Sequence, residues 1–456
     1  MSHAPSATLS RLSPRSALRL ALSSEALAYG SLAVAYLTFR LGSFTGEARR
    51  LTNTVGYEHV AALHVWSLDF YAGERSFTLP LLYKVLARDD VRILAQLALS
   101  AACWLTLAAV AARAAHRTPV RLAVFVWVLG SGLTLEIVHW DALLMSESVS
   151  FSLLALLLAC WFLFARRPGR GRAVAVLLVS LLWAFTRDAN AYAVLMSGIA
   201  AAVALIWTRQ RTLTATLAIG CALIFAGSTL SVDHGRRWFQ PMIDVMAHRV
   251  LPDERLKSYF EAHGFDEHSP WGAEGGWAQR HARATYARYL LTHPAHLLTQ
   301  PFRGEQQQAL WSTPSNAASL IDPSLSVYVS DDDGRHRPLA LPPHARSVFF
   351  PRGTVLVPAL MLGLLAAAGA AALRRGATRE WLVPLVALAT VYPQLLLAWH
   401  LSGIEIDRHA LTGAVLLRLL PPLVLLLAVD RALAARGEDQ PGGPRFPSSA
   451  SSSASR

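Results

Sequence analysis

The apolar positions of this chain are grouped in blocks, mostly of roughly 17–22 residues, separated by short polar turns. About 20 apolar residues in a helix cross a hydrocarbon core of about 30 Å. A helix satisfies its own backbone N–H and C=O groups, so it can cross lipid where a loop cannot. The blocks fall at about 25–41, 92–112, 122–138, 149–165, 173–186, 193–207, 212–230, 354–373, 381–399 and 410–429. They predict an all-α polytopic membrane protein with about ten transmembrane helices. Two longer polar stretches interrupt them. Residues 43–91 are too polar to cross, and residues 231–352 could hold a small folded region. Within the second, 277–300 read as an amphipathic helix interrupted at His293-Pro294. No internal repeat is visible.

Charge gives the pattern a direction. Four short turns carry twelve arginines: 113, 117 and 121; 166, 167, 170 and 172; 209 and 211; 374, 375 and 379. The three short turns on the opposite side, near 139–148, 187–192 and 400–410, carry only Arg187 and Arg408. Arginine-rich turns stay in the cytoplasm. The expected topology is therefore a multi-pass cell-membrane protein with both termini cytoplasmic and two long extracytoplasmic segments. It divides into a cytoplasmic segment 1–23, helices one to seven in 24–230 with the first outer loop at 43–91, an extracytoplasmic region 231–352, helices eight to ten in 353–430, and a tail 431–456. The first apolar block follows Arg11, Arg15 and Arg19, as a signal peptide would; it is read as an uncleaved first helix. From Gly437 the tail is rich in Pro, Gly and Ser and is expected to be disordered.

The composition fits this reading. Of 456 residues, 53% are hydrophobic and 16% charged, with a net charge of +12. Such a charge on a soluble domain would suggest nucleic acid; here the arginines between apolar blocks account for it without a polyanionic partner, and they would contact anionic lipid headgroups. Cys103, Cys160 and Cys221 lie in or beside apolar blocks and imply neither a disulfide framework nor a Cys-based zinc site. No Walker motif, phosphate-cradling Gly-rich loop or HExxH motif is present.

Polar groups at membrane depth need an explanation, and the arginine-poor turns gather several. One reads HWDALLMSES with Asp141 and Glu147, the next RDANAY with Arg187 and Asp188, the third HLSGIEIDRHA with Glu405, Asp407, Arg408 and His409. As simple ion pairs, Arg187–Asp188 and Asp407–Arg408 would close their loops. As a shared site, the carboxylates would supply a base or hold a metal, and the arginines and histidine would hold a phosphate. In the first outer segment the acids are Glu58, Asp69, Glu74, Asp89 and Asp90. Asp69 lies in an aromatic stretch, Trp66 to Tyr71, and is the best candidate there; Asp89-Asp90 precedes a helix and complements its dipole. Asp331-Asp332-Asp333-Gly334 has the composition of a calcium turn without EF-hand spacing and reads as a solvated turn.

Together, the long first outer loop with its acids, WDALLMSES, RDAN, YLLTHP and the late EIDRH turn resemble a glycosyltransferase of the superfamily C (GT-C) membrane fold, over most of residues 25–430. The combination is closer to uncharacterised actinobacterial members than to enzymes of known substrate. The resemblance implies transfer of a sugar from a polyprenyl-phosphate carrier to an envelope glycan, lipid or protein outside the cytoplasm. It implies catalytic carboxylates, for which Asp69, Glu147 and Glu58 are the candidates. Arg187, Asp188, Asp407, Arg408, His409 and Asp141 would bind substrate. Family members place a base-like aspartate in the first outer loop, often ahead of a tyrosine; before Tyr57 this chain has Asn53. Some relatives use a divalent cation and others do not, and no nucleic-acid partner is implied. The competing readings are a transporter or flippase of lipid-linked or polysaccharide substrate, and a non-catalytic scaffold of the same fold. A transporter would often show broken helices at the midplane or repeat symmetry, and neither is evident in the sequence.

Overall fold

The computed structural model describes residues 14–42, 44, 48–206, 208–266, 276–302, 339–375 and 379–438. Among them there is no β-strand, only an isolated parallel bridge between Arg49 and Leu143. The helices are α1 (Pro14–Leu41), α2 (Thr52–Ala62), α3 (Leu68–Ala72), α4 (Thr78–Val85), α5 (Asp89–Ala112), α6 (Thr118–Gly132), α7 (Leu135–Val138), α8 (Ser146–Arg166), α9 (Arg170–Ala184) and α10 (Asp188–Ala204). They continue as α11 (Arg211–His234), α12 (Phe239–Val245), α13 (Glu254–Glu261), α14 (Arg283–Thr292), α15 (Pro294–Thr299), α16 (Pro343–Phe349), α17 (Leu356–Arg375), α18 (Arg379–Ala389), α19 (Val391–His400) and α20 (Ile406–Glu438). The aspartate-rich turn at 331–334 and the tail beyond residue 438 lie outside the described residues.

Among the described residues, five spans are long and apolar enough to cross a membrane: Asp89–Ala112, Ser146–Arg166, Arg211–His234, Glu380–His400 and Ile406–Ala434. A sixth is obtained if α6 and the following Leu135–Ala142 segment, bent by 52° relative to each other, are counted as one. These spans fit a multi-pass membrane protein. The blocks expected near 173–186 and 193–207 are helices of 15 and 17 residues. The expected unbroken helix at 122–138 is therefore corrected to a bent pair. Hydropathy cannot register this bend, because the residues on both sides are apolar.

The breaks have local causes. Pro119 occupies the first turn of α6 and Pro294 starts α15, positions where proline's missing N–H costs nothing. At Gly132 an added Cβ would press on the Trp104 indole of α5, so a small residue there lets the two helices meet.

α8 is the centre of the bundle, with 78% of its most apolar window buried, against 22% for α11, which turns most of its surface outward. α8 packs on α5 and α9, α10 on α11, and α17 on α20. A second, smaller core joins Met246, Val250, Leu256, Phe260, Ala282 and Tyr286. It closes the stretch from α12 to α14, where Asp253 caps α13 by accepting from the N–H groups of Arg255 and Leu256. The helix expected at 277–300 is present, begins with a π-helical turn at Ala278–Ala282, and breaks at His293. The three cysteines are buried and free.

Buried charges bind distant elements together. Arg40 of α1 meets Asp141 at 2.7 Å and also donates to the Gly132 carbonyl and Ser100 Oγ. Arg346 of α16 forks onto Glu136, which is fully buried in α7. Asp430 of α20 accepts from the backbone N–H groups of His116 and Arg117, satisfying the start of α6.

Candidate functional site: a carboxylate held by two arginines where three helices begin

The three arginine-poor turns meet. Each opens a helix and places an acid in its first turn: Glu147 in α8, Asp188 in α10 and Asp407 in α20. A helix N-terminus carries a partial positive charge and unpaired N–H groups, which explains the acids locally. Tertiary packing then gives them different partners.

Glu147 is buried, and its Oε1 lies 3.6 Å from Arg187 Nη1 and 3.4 Å from Arg408 Nε. Its Oε2 accepts from Ser146 Oγ at 3.4 Å. Arg187 Nη2 also donates to His409 Nδ1 at 3.0 Å. Arg408 Nη2 reaches Glu405 Oε2 at 3.0 Å. Glu405 has a φ of 53°, a left-handed conformation uncommon for a residue with a Cβ and of a kind that clusters at functional sites. Asp407 Oδ1 accepts from the Arg408 N–H at 2.9 Å.

The expected pairing of Arg187 with Asp188 is not the one formed. Asp188 is gripped by Arg237, with Nε and Nη2 each 3.0 Å from one carboxylate oxygen, and Ser76 Oγ donates to it at 2.7 Å. Consecutive side chains at a helix start point in different directions, so neighbours in sequence are not neighbours on the surface.

The first polar stretch is stitched to the same turns. Arg49 N donates to the Ala142 carbonyl and Leu144 N to that of Arg49, both at 3.0 Å. Thr54 Oγ1 donates to the Leu144 carbonyl, and Tyr57 OH to Ser146 Oγ at 3.2 Å. α2 therefore lies against WDALLMSES, with Tyr57 next to the residue that touches Glu147.

The other candidates stand elsewhere. Asp141 is buried, committed to Arg40 and to Ser148, whose Oγ donates at 2.6 Å. Glu58 belongs to a network in which Arg50 and Arg92 each contact both Glu58 and Asp89. Asp69 is 71% exposed, with His234 at 3.4 Å, and is not among the side chains that converge. Asn53 accepts from Arg75 Nη2 at 2.9 Å.

Several participants carry no signal in the sequence. Arg237, and Asp244 on α12, lie far along the chain from the turns they join, and Arg75 meets α2 through Asn53. The Asp244 backbone abuts Gly403, where an added Cβ would overlap the Asp244 carbonyl, so α12 docks on the turn that carries Glu405. Burial pushes the Asp244 carboxyl above its ordinary pKa, and Glu405 adds to the rise. Gln240 Nε2 donates to Asp244 at 3.1 Å, and no ion pair with Asp244 is formed among the described residues. Nearby, burial lowers Arg249 to about 10; its guanidinium stacks 3.5 Å from the Trp399 ring centroid. Among the described residues no group of three or more His, Cys, Asp or Glu side chains is placed to hold a metal ion.

No protein-family model matches the chain, and no curated protein matches it.

Proposed function

We propose that the protein is a membrane glycosyltransferase of the GT-C type. It would move a sugar from a polyprenyl-phosphate carrier to an acceptor of the cell envelope, on the side of the membrane opposite the termini. One observation carries the reading: two part-buried arginines, with a histidine beside them, converge on one carboxylate where three helices begin. Guanidinium groups and helix N-termini both favour phosphate. Their position at the ends of apolar helices suits a phosphate whose ester chain lies in lipid.

In the proposed step an acceptor hydroxyl attacks the anomeric carbon. A carboxylate takes its proton, the bond from that carbon to the phosphate oxygen breaks, and polyprenyl phosphate leaves with the electron pair. Arg187 and Arg408 stabilise the charge that develops on it. Glu147, buried between two guanidinium groups and in contact with both, is assigned to positioning them. Asp244, raised by burial although the Gln240 hydrogen bond and the charge of His248 oppose the rise, is assigned as the base.

This assignment fixes a pH dependence. A base works deprotonated, so transfer is present above the folded pKa of Asp244 and lost as pH falls through it. That pKa is raised above 3.8, so the acid limb lies above that of an unperturbed aspartate. Asp244→Asn is expected to lose about 10²–10⁴-fold in kcat and to flatten the limb. An unchanged profile in this variant sinks the assignment.

The function itself is tested with purified protein in lipid, given radiolabelled polyprenyl-phosphate sugars and crude envelope acceptors, beside Arg408→Ala. Label reaching an acceptor, and stopping in the variant, supports transfer. No transfer from any donor by folded protein rejects it.

The bent pair at α6–α7 favours a second reading, a transporter or flippase of lipid-linked substrate, since discontinuous helices line many transport sites. Those sites are usually built from corresponding breaks in two halves, and only one such pair occurs among the described residues. Flipping of a fluorescent carrier lipid without sugar transfer would decide for it.

A further inference from the structure

Arg75 differs from the other arginines around this site. Arg187 and Arg408 face Glu147, Arg237 grips Asp188, and Arg40 meets Asp141. Arg75 is part-buried, and its only hydrogen bond among the described residues is to a neutral group, Asn53 Oδ1 at 2.9 Å. The nearest acid in sequence, Glu74, is taken by His59 at 2.8 Å.

Its seat is built by one face of α2, where Asn53, Gly56 and Tyr57 follow the helical spacing of three and four residues. A Cβ on Gly56 would lie 2.7 Å from Arg75 Nε and 3.3 Å from Nη2, so the guanidinium lies close over Gly56 and would have to shift for a larger residue there. Glycine inside a helix costs about 1 kcal/mol relative to alanine, and at position 56 it lets the guanidinium lie against the helix backbone. The Tyr57 ring lies 5.4 Å from Arg75 Cζ, within reach of a cation–π interaction.

Two contacts bring this seat to the site. Tyr57 OH donates to Ser146, the neighbour of Glu147. Ser76, next to Arg75, donates to Asp188, the neighbour of Arg187.

We infer that Arg75 is a further anion-contacting arginine of the site, beside Arg187 and Arg408, and that Asn53 positions it without neutralising it. The ligand chemistry is a phosphate group; that it is the carrier's phosphate ester rests on the transferase reading above. An aspartate at position 53 would form an ion pair with Arg75 and compete with the ligand. By this account Asn53 is a positioning residue, and Asn53→Asp removes function instead of restoring an acid.

The test is ligand binding to the detergent-purified full chain by calorimetry, with farnesyl phosphate, farnesol and inorganic phosphate as probes. Arg75→Ala and Asn53→Asp are each expected to weaken farnesyl phosphate by about tenfold or more, the loss of a charge-assisted contact. Farnesol binding should be unchanged. Asn53→Asp should melt no lower than wild type, because it gains an ion pair, and should bind phosphate more weakly than Asn53→Ala. A structural role alone would reverse that order. Equal farnesyl phosphate affinity in wild type, Arg75→Ala and Asn53→Asp overturns the inference, as does a wild type that binds neither phosphate probe. Binding of inorganic phosphate through Arg75, without binding of farnesyl phosphate, keeps the anion site and removes the lipid-carrier reading. Asn53→Asp stays decisive if Arg75→Ala fails to fold.

Discussion

Asp141→Asn is expected to destabilise the protein by about 3–5 kcal/mol, the range for breaking a buried ion pair by removing one partner. Arg40 is fully buried, and Asp141 nearly so. Their contact at 2.7 Å joins α1 to the turn before α8, while Arg40 also reaches Ser100 in α5 and Gly132 at the bend after α6. With asparagine at 141 the guanidinium keeps its charge and loses its counter-ion in surroundings that water does not replace. The loss should appear as a lower melting temperature in detergent. The double variant Arg40→Met/Asp141→Leu should recover most of it, because replacing both members of a buried pair with apolar groups of similar size is often neutral or stabilising. An Asp141→Asn protein that melts with the wild type would mean the pair is not what joins these helices. Recovery in the double variant, with the proposed sugar transfer intact, would place Asp141 with the scaffold and not with substrate binding.

The sequence made local features legible and long-range ones invisible. Helical blocks, the break at His293-Pro294 and the acid at each of three helix starts depend on neighbouring residues, and they could be read in order. Which acid meets which arginine depends on packing between segments far apart. Asp188 meets Arg237 across 49 residues, and Ser76 meets Asp188 across 112. The adjacency of Arg187 with Asp188 suggested a pair, but packing gives Asp188 to Arg237 and Arg187 to Glu147. Asp69 drew notice through its aromatic neighbours, but side chains in so short a helix as α3 alternate between the core and solvent. Phe70 is buried, and Asp69 faces out. The bend after Gly132 was hidden for a different reason: apolarity measures transfer into lipid, not direction. Asn53 shows the limit of reading by analogy. Its resemblance to an expected acid position pointed to a missing base, whereas its contact with Arg75 points to the task of holding a cation.

Glu147→Gln is expected to make stability depend on added anions. Arg187 and Arg408 repel each other, and Glu147 is the charge that holds both. Neutralising it leaves two part-buried guanidinium groups facing one another, a loss of about 3 kcal/mol at the lower end of the buried-pair range, since both arginines keep some access to water. A phosphate can take the carboxylate's place. The variant's melting temperature should therefore be well below wild type in phosphate-free buffer and rise steeply as phosphate is added, while the wild type responds less. Mass action sets the scale: an anion at 100 times its Kd restores about 2.7 kcal/mol. Under the proposed transferase function, sugar transfer should fall about 100-fold in both buffers, because a free anion holds the arginines without the geometry that a carrier phosphate would need. This behaviour is opposite to that of Asn53→Asp, where an added carboxylate competes with phosphate and weakens its binding. The two variants test one electrostatic account from both sides. If Glu147→Gln melts as the wild type does, or gains no more than the wild type from phosphate, Arg187 and Arg408 are held by something other than Glu147.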